Sequence, residues 1–200
     1  MKQRVNPRMA ARSLIVAGAA ATMAMTLLTG CAPLVIGGAA TAVAMAEDRR
    51  STGVFVDDEN IENRALLKVK SRFGDQVHVN ITSYNRHVLI SGEAPNETVK
   101  QGVEEEVGTV AGVKRIFNEM AIGPQAGVLA VSNDTRLTTI VKTRFLEANR
   151  FQSNHVKVVT EAGVVYLMGI VKRSEADTAA QLASTTAGVS RVVRLFEYLD

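Results

Sequence analysis

A single cysteine stands in the 200-residue chain: Cys31, closing the run Leu28-Thr29-Gly30-Cys31. It cannot form an internal disulfide, so its thiol needs another use, and acylation is one. Three histidines, His78, His87 and His155, are the remaining candidates for metal or acid–base chemistry. None has a partner at metal-ligand spacing and no second cysteine can assist, so no metal site is expected. His78 and His87 fall on or near one hairpin, where they are expected to be solvated cross-strand neighbours. The acidic run Glu104-Glu105-Glu106 reads as a solvated helix face rather than a cation site. The glycines from Gly123 to Gly127 lack the strand–loop–helix setting of a phosphate loop. No catalytic grouping is legible, and neither an enzyme nor a cofactor is expected.

The surroundings of Cys31 give its thiol a context. Lys2, Arg4, Arg8 and Arg12 make the start basic, and no Asp or Glu occurs before Glu47. An apolar run from Leu14 to Leu28 follows, too short and too early for a membrane span. A basic start, a short apolar run and small residues at the cut describe a secretory signal over residues 1–30. Leu-Thr-Gly-Cys resembles a lipobox, in which the thiol is acylated before the preceding peptide bond is cut. Cys31 is then the lipid-carrying first residue of the exported chain. Each buried methylene contributes about 0.8 kcal/mol, and stable anchoring takes more than one acyl chain. Ala32 in place of an Asp fits, by resemblance to enteric-type sorting, delivery to the outer membrane.

Without the four signal cations, 19 basic residues face 20 acidic ones, so the formal net charge of +3 is no argument for a nucleic-acid partner. There is no Trp and aromatics are few, so the core must come from Val, Ile, Leu and Ala. Residues 31–56 read as a tether, Ala- and Gly-rich over most of their length.

Beyond the tether the sequence repeats. Val79-Asn80-Ile81 and Val88-Leu89-Ile90-Ser91-Gly92 recur as Val156-Lys157-Val158 and Val165-Tyr166-Leu167-Met168-Gly169, at a constant offset of 77 residues. Val110 to Ile116 recurs as Thr186 to Val192. Upstream, Val69-Lys70-Ser71-Arg72-Phe73 matches Val141-Lys142-Thr143-Arg144-Phe145 at an offset of 72, which implies a loop about five residues longer in the second copy. Each copy reads helix, two alternating strands, helix, strand. Asp134 is expected to cap the first helix of copy two, and Gly112 and Gly188 to end the second helices. Val99, Val103, Val107 and Val110 form one buried stripe; Ala176, Ala180, Ala183 and Ala187 form a flatter one. The fold class is α+β, helices on one face of a three-stranded mixed sheet, twice over.

This αββαβ unit, with apolar-x-Gly ending its second strand and Gly-Val-x-x-Val/Ile opening its third, resembles the BON domain. Two such units behind a lipobox resemble the dual-BON outer-membrane lipoproteins of Gram-negative bacteria. The likeness is densest at Ser51-Thr52-Gly53, Val56-Asp57-Asp58, Ser132-Asn133-Asp134-Thr135 and Val165 to Gly169. The expected organisation is a first BON domain over 57–123, a linker over 124–134 and a second BON domain over 135–200. The resemblance implies binding of anionic phospholipid, a role in outer-membrane integrity at the periplasmic face, and no catalysis.

Charge separates the copies. Residues 57–123 carry a net −3 and residues 124–200 a net +2. The first helix of copy two concentrates the difference: Leu137, Ile140, Val141, Phe145 and Ala148 share one side, while Arg136, Lys142 and Arg150 fall on the other, with Leu146 among them. An apolar side chain ringed by cations suits an anionic membrane. The resemblance points to the same helix of the second BON domain, so Arg136, Lys142, Leu146 and Arg150 are the expected phospholipid-binding residues. Arg136 stands where a close relative has an aromatic, which implies shallower insertion and stronger dependence on charge. The alternative is an adaptor whose domains dock an envelope protein or the cell wall, with lipid serving only as anchor.

Overall fold

The computed structural model describes residues 48–124 and 128–200, with side chains described outside 125–130. The signal segment, most of the tether and Cys31 lie outside the described residues. No helix among the described residues is long and apolar enough to cross a membrane.

The first domain runs α1 (Thr52–Phe73), β1 (His78–Tyr84), β2 (His87–Ala94), α2 (Glu97–Gly108), β3 (Arg115–Asn118) and a short β4 (Ala121–Ile122). The second runs α3 (Val128–Ala148), β5 (Val156–Glu161), β6 (Val164–Val171), α4 (Arg173–Ser184) and β7 (Arg191–Tyr198). In both sheets the middle strand pairs antiparallel with its hairpin partner and parallel with the last strand. The mixed α+β sandwich is therefore present twice.

Helix α1 starts at Thr52, ahead of the expected tether end at residue 56, because the Ser51 hydroxyl accepts from the Val54 N–H at 3.4 Å. Helix α3 starts at Val128, inside the expected linker. Asp134 thus lies within α3 and does not cap it. Its carboxylate accepts from the N–H groups of Ala162 and Gly163, at 2.8 and 2.9 Å, and so holds the β5–β6 turn. Asp58 does the same for the β1–β2 turn. It accepts from the N–H groups of Asn85 and Arg86 at 2.8 and 2.7 Å, and from Ser83 Oγ at 2.6 Å.

These two aspartates correct the helix alignment. Asp58, Ile61, Ala65 and Val69 are buried on α1; Asp134, Leu137, Val141 and Phe145 are buried on α3. The pairs match at an offset of 76, not 72. The Val-Lys-x-Arg-Phe similarity is a slip of one helical turn, which preserves the apolar stripe and hence looks right. The loop before β5 is one residue longer, not five. Helices α2 and α4 stop at Gly108 and Ser184, before Gly112 and Gly188. These glycines, at φ 97° and 95°, turn the chain into the last strand instead. Ala187 is exposed beyond α4, and Ala179 takes the buried place.

Gly92 and Gly169 explain the recurrent glycine of the second strand. A Cβ at either position would lie 2.1 or 2.2 Å from a backbone oxygen, that of His78 or His155.

Alternation along the strands builds three cores. Val88 and Ile90 face α1 and α2; Val165 and Leu167 face α3 and α4. The intervening Leu89, Tyr166 and Met168 form a third cluster with Tyr84 and Leu195, where the two sheets meet. Both faces of each sheet are thereby covered. The segment preceding α1 is fixed to both domains. Arg49 makes paired bonds to Glu175 at 2.7 and 2.9 Å, and Arg50 binds Asp58 at 2.9 Å and lies 4.1 Å over the Tyr84 ring. The Arg49 hydrogen bonds hold the Glu175 carboxyl below its ordinary value. Burial, reinforced by Asp48, pushes the Tyr84 phenol up to about 12.

Candidate functional site

Burial of Leu137, Val141 and Phe145 fixes which side of α3 faces out. Arg136, Lys142 and Leu146 are all exposed, Leu146 to 64%. Lys142 and Leu146 are one turn apart and lie side by side. Arg136 sits nearer the amino end of the same exposed side. Arg150 follows the helix: α3 ends at Ala148, and Asn149, at φ 45°, turns the chain away. Arg150 is exposed in that turn, at the end of the helix rather than on its surface.

Among the described residues, no ion pair engages Arg136, Lys142 or Arg150. The remaining cation of α3, Arg144, differs. Arg144 donates to the Leu182 carbonyl and Thr186 Oγ1, both at 2.7 Å, and to Thr185 Oγ1 at 3.0 Å. It ties α3 to α4 and is spent structurally. Lys142 also borders an open groove of about 400 Å³ between α3 and β5.

Val131 joins this surface at 46% exposure. It lies within about 60° of Lys142 and Leu146 around the axis. Sequence reasoning missed it because residues 124–134 read as linker. The signal was present: Val131, Lys142 and Leu146 are spaced 11 and 4 residues apart, multiples of a helical turn.

The equivalent helix of the first domain is built otherwise. At offset 76, Arg136, Lys142, Leu146 and Arg150 correspond to Asn60, Leu66, Lys70 and Gly74. Two of its cations, Lys68 and Arg72, pair with Glu106 at 3.7 and 3.1 Å. Glu104 accepts from Asn118 at 3.1 Å. The acidic run of α2 lies on a solvated face as expected, with Glu104 and Glu105 exposed, and from it Glu106 reaches α1 and Glu104 reaches β3.

The histidines are not cross-strand neighbours. His87 pairs with Tyr84 beside the turn, and His78 pairs with Glu93 at the far end of the hairpin. His78 Nδ1 lies 2.9 Å from Glu93 Oε2. Burial, against the opposing pull of Glu197, holds His87 below its ordinary value.

Two αββαβ sandwiches sharing a seam define a tandem-domain α+β protein. Residues 57–124 and 133–200 each match the BON domain, and the chain belongs to that family. Within it, the chain is a dual-BON outer-membrane lipoprotein. It is 38% identical over 179 residues to the outer membrane lipoprotein DolP of Haemophilus influenzae, an alignment covering 88% of this chain and 93% of that one. It is 33% identical to a 21 kDa hemolysin of Actinobacillus pleuropneumoniae, over 76% of this chain and 80% of that one. It is 27% identical to the osmotically-inducible protein Y of Escherichia coli, over 70% and 72% respectively.

Proposed function

We propose that this chain is anchored through lipid on Cys31 to the periplasmic face of the outer membrane, and that its second BON domain binds anionic phospholipid through α3. In this reading its role is to support membrane integrity, without catalysis. The observation that carries it is the outward face of α3: Leu146 exposed beside Lys142, with Arg136, Arg150 and Val131 around them. Each cation near an anionic surface contributes about 1 kcal/mol. A buried Leu adds roughly 1.5–3 kcal/mol. Such contacts are weak when the chain is free, but behind a lipid anchor the encounter is intramolecular and weak contacts suffice. With no aromatic on this face, charge dominates over insertion depth.

The test uses vesicles of neutral phospholipid, with and without phosphatidylglycerol or cardiolipin. The fragment from Asp48 to Asp200, lacking any acyl chain, is expected to bind only the anionic vesicles and to release at 1 M salt, where the Debye length is about 3 Å. Binding that ignores lipid charge or salt contradicts the proposal. Absence of binding to every vesicle would favour the adaptor role, with lipid serving only as anchor. Mass spectrometry of the exported chain and of Cys31→Ser checks the anchor, which only the unsubstituted chain is expected to carry.

A further inference from the structure

The seam between the domains uses the same donor position twice at the 77-residue offset, with the domains exchanged and different acceptors. Asn80 of the first domain reaches Glu161 of the second at 2.8 Å. Its counterpart Lys157 reaches back to Glu62 and the Ser83 carbonyl, at 3.0 and 3.3 Å. Each end of the seam thus uses the same three positions. At one end they are His155, Ile170 and Tyr84; at the other, His78, Glu93 and Glu161.

The first end holds positive charge supplied by the chain. Arg49 donates to the Ile170 carbonyl at 2.7 Å, and Arg50 stacks on Tyr84. The second end holds two carboxylates. One ligand atom each from His78, Glu93 and Glu161 lies within 4.8 Å of the others. Glu93 and Glu161 are 6% and 8% exposed. Glu161 has no Lys or Arg ion pair among the described residues. It accepts only from neutral donors, Asn80 Nδ2 and Ser91 Oγ, the latter at 3.1 Å. Two carboxylates held this close repel whenever both carry charge, so a cation between them is favoured.

We propose that His78, Glu93 and Glu161 bind a divalent zinc ion across the domain seam. An imidazole nitrogen with two carboxylate oxygens suits zinc, whereas calcium and magnesium take oxygen donors. Ligand atoms around tetrahedral zinc sit about 3.3 Å apart. The His78–Glu93 separation of 2.9 Å is already close to that, so Glu161 closes the set. Asn80 and Ser91 orient the Glu161 carboxylate from behind. The groove bordered by His78, Asn80 and Glu161 gives access for the ion and for a water as fourth ligand. Because Glu161 belongs to one domain and His78 and Glu93 to the other, the ion joins the two. This proposal is independent of lipid binding.

The test is calorimetric titration of the full untagged chain, in non-ionic detergent, with zinc and separately with calcium. One zinc ion is expected to bind per chain, with little response to calcium. Glu161→Gln and His78→Ala are each expected to weaken zinc at least tenfold, whereas His155→Ala leaves it unchanged. Should a variant fail to fold, the histidine ring signals of the unsubstituted chain decide: His78 is expected to shift on zinc addition, His87 and His155 not. No zinc binding, or binding that leaves the His78 signals in place, overturns the proposal.

Discussion

Helices α1 and α3 occupy the same place in two copies of one fold, and they have diverged on the side that the fold does not use. Inward, they agree position by position: an aspartate holding the hairpin turn, then Ile61, Ala65 and Val69 against Leu137, Val141 and Phe145. Outward, Lys68 and Arg72 of α1 are engaged by Glu106, which leaves Arg64 and Lys70 without an ion pair near the exposed Leu67, while none of Arg136, Lys142 and Arg150 at α3 has an ion-pair partner among the described residues. Core positions stay apolar because each must fill a buried space, though the side chains that fill it differ in size between the copies. Solvent positions carry no such restraint, so duplicated domains can keep one architecture and divide their work. The net charges of −3 and +2 are the sequence-level trace of that outward divergence.

The largest expected effect tests the shared frame. Gly92→Ala and Gly169→Ala should each cost about 4 kcal/mol or more, since the new methyl meets a backbone oxygen that cannot move away. Urea denaturation is expected to show both copies equally intolerant. A small loss in one copy alone would break the equivalence of the two sheets.

Next come the turn-holding aspartates, which sharpen the comparison. Asp58→Ala leaves two N–H donors and the Ser83 hydroxyl without their acceptor, while Arg50 keeps Asp48 at 2.7 Å, an expected loss of about 2–4 kcal/mol. Asp134→Ala strands two N–H donors and no charge, an expected loss of about 1–3 kcal/mol. Equal losses would mean that Ser83 and Arg50 add nothing to the first turn.

The smallest effect is pH dependence. His87 is held below its ordinary value by burial, so the folded chain binds its proton less readily than the unfolded chain. Its contribution to stability is full above the unfolded value near 6.5 and is lost as pH falls through the folded value. Glu175 is held down by Arg49, so its contribution is present above the ordinary carboxylate value and lost on further acidification. His87→Asn is expected to flatten the decline between neutral and mildly acidic pH, while Glu175→Gln flattens only the more acidic part. Thermal unfolding across pH reads both.

Much of this was legible in the sequence because period and spacing carry it. The repeat, the αββαβ order, the mixed sheets and the outward placement of Lys142 and Leu146 all follow from apolar alternation and a constant offset. The one-turn slip between α1 and α3 arose because helical periodicity is blind to shifts of four residues; the turn-holding aspartates, a tertiary contact, settle the register. The seam was less legible, yet Val88-Leu89-Ile90 and Val165-Tyr166-Leu167-Met168 are apolar at consecutive positions, which marks strands covered on both faces. The grouping of His78, Glu93 and Glu161 had no linear signature, since Glu161 comes from the other domain.

The central claim is that lipid contact belongs to α3 and not to α1. Its most direct measurement is partition into anionic vesicles of two matched double variants, Lys142→Glu with Leu146→Glu on α3, and Leu67→Glu with Lys68→Glu on α1, each verified as folded by circular dichroism. The α3 pair is expected to lose about a hundredfold in affinity, and the α1 pair to bind much as the unsubstituted chain does. Equal losses in both, or a loss confined to α1, would contradict the assignment.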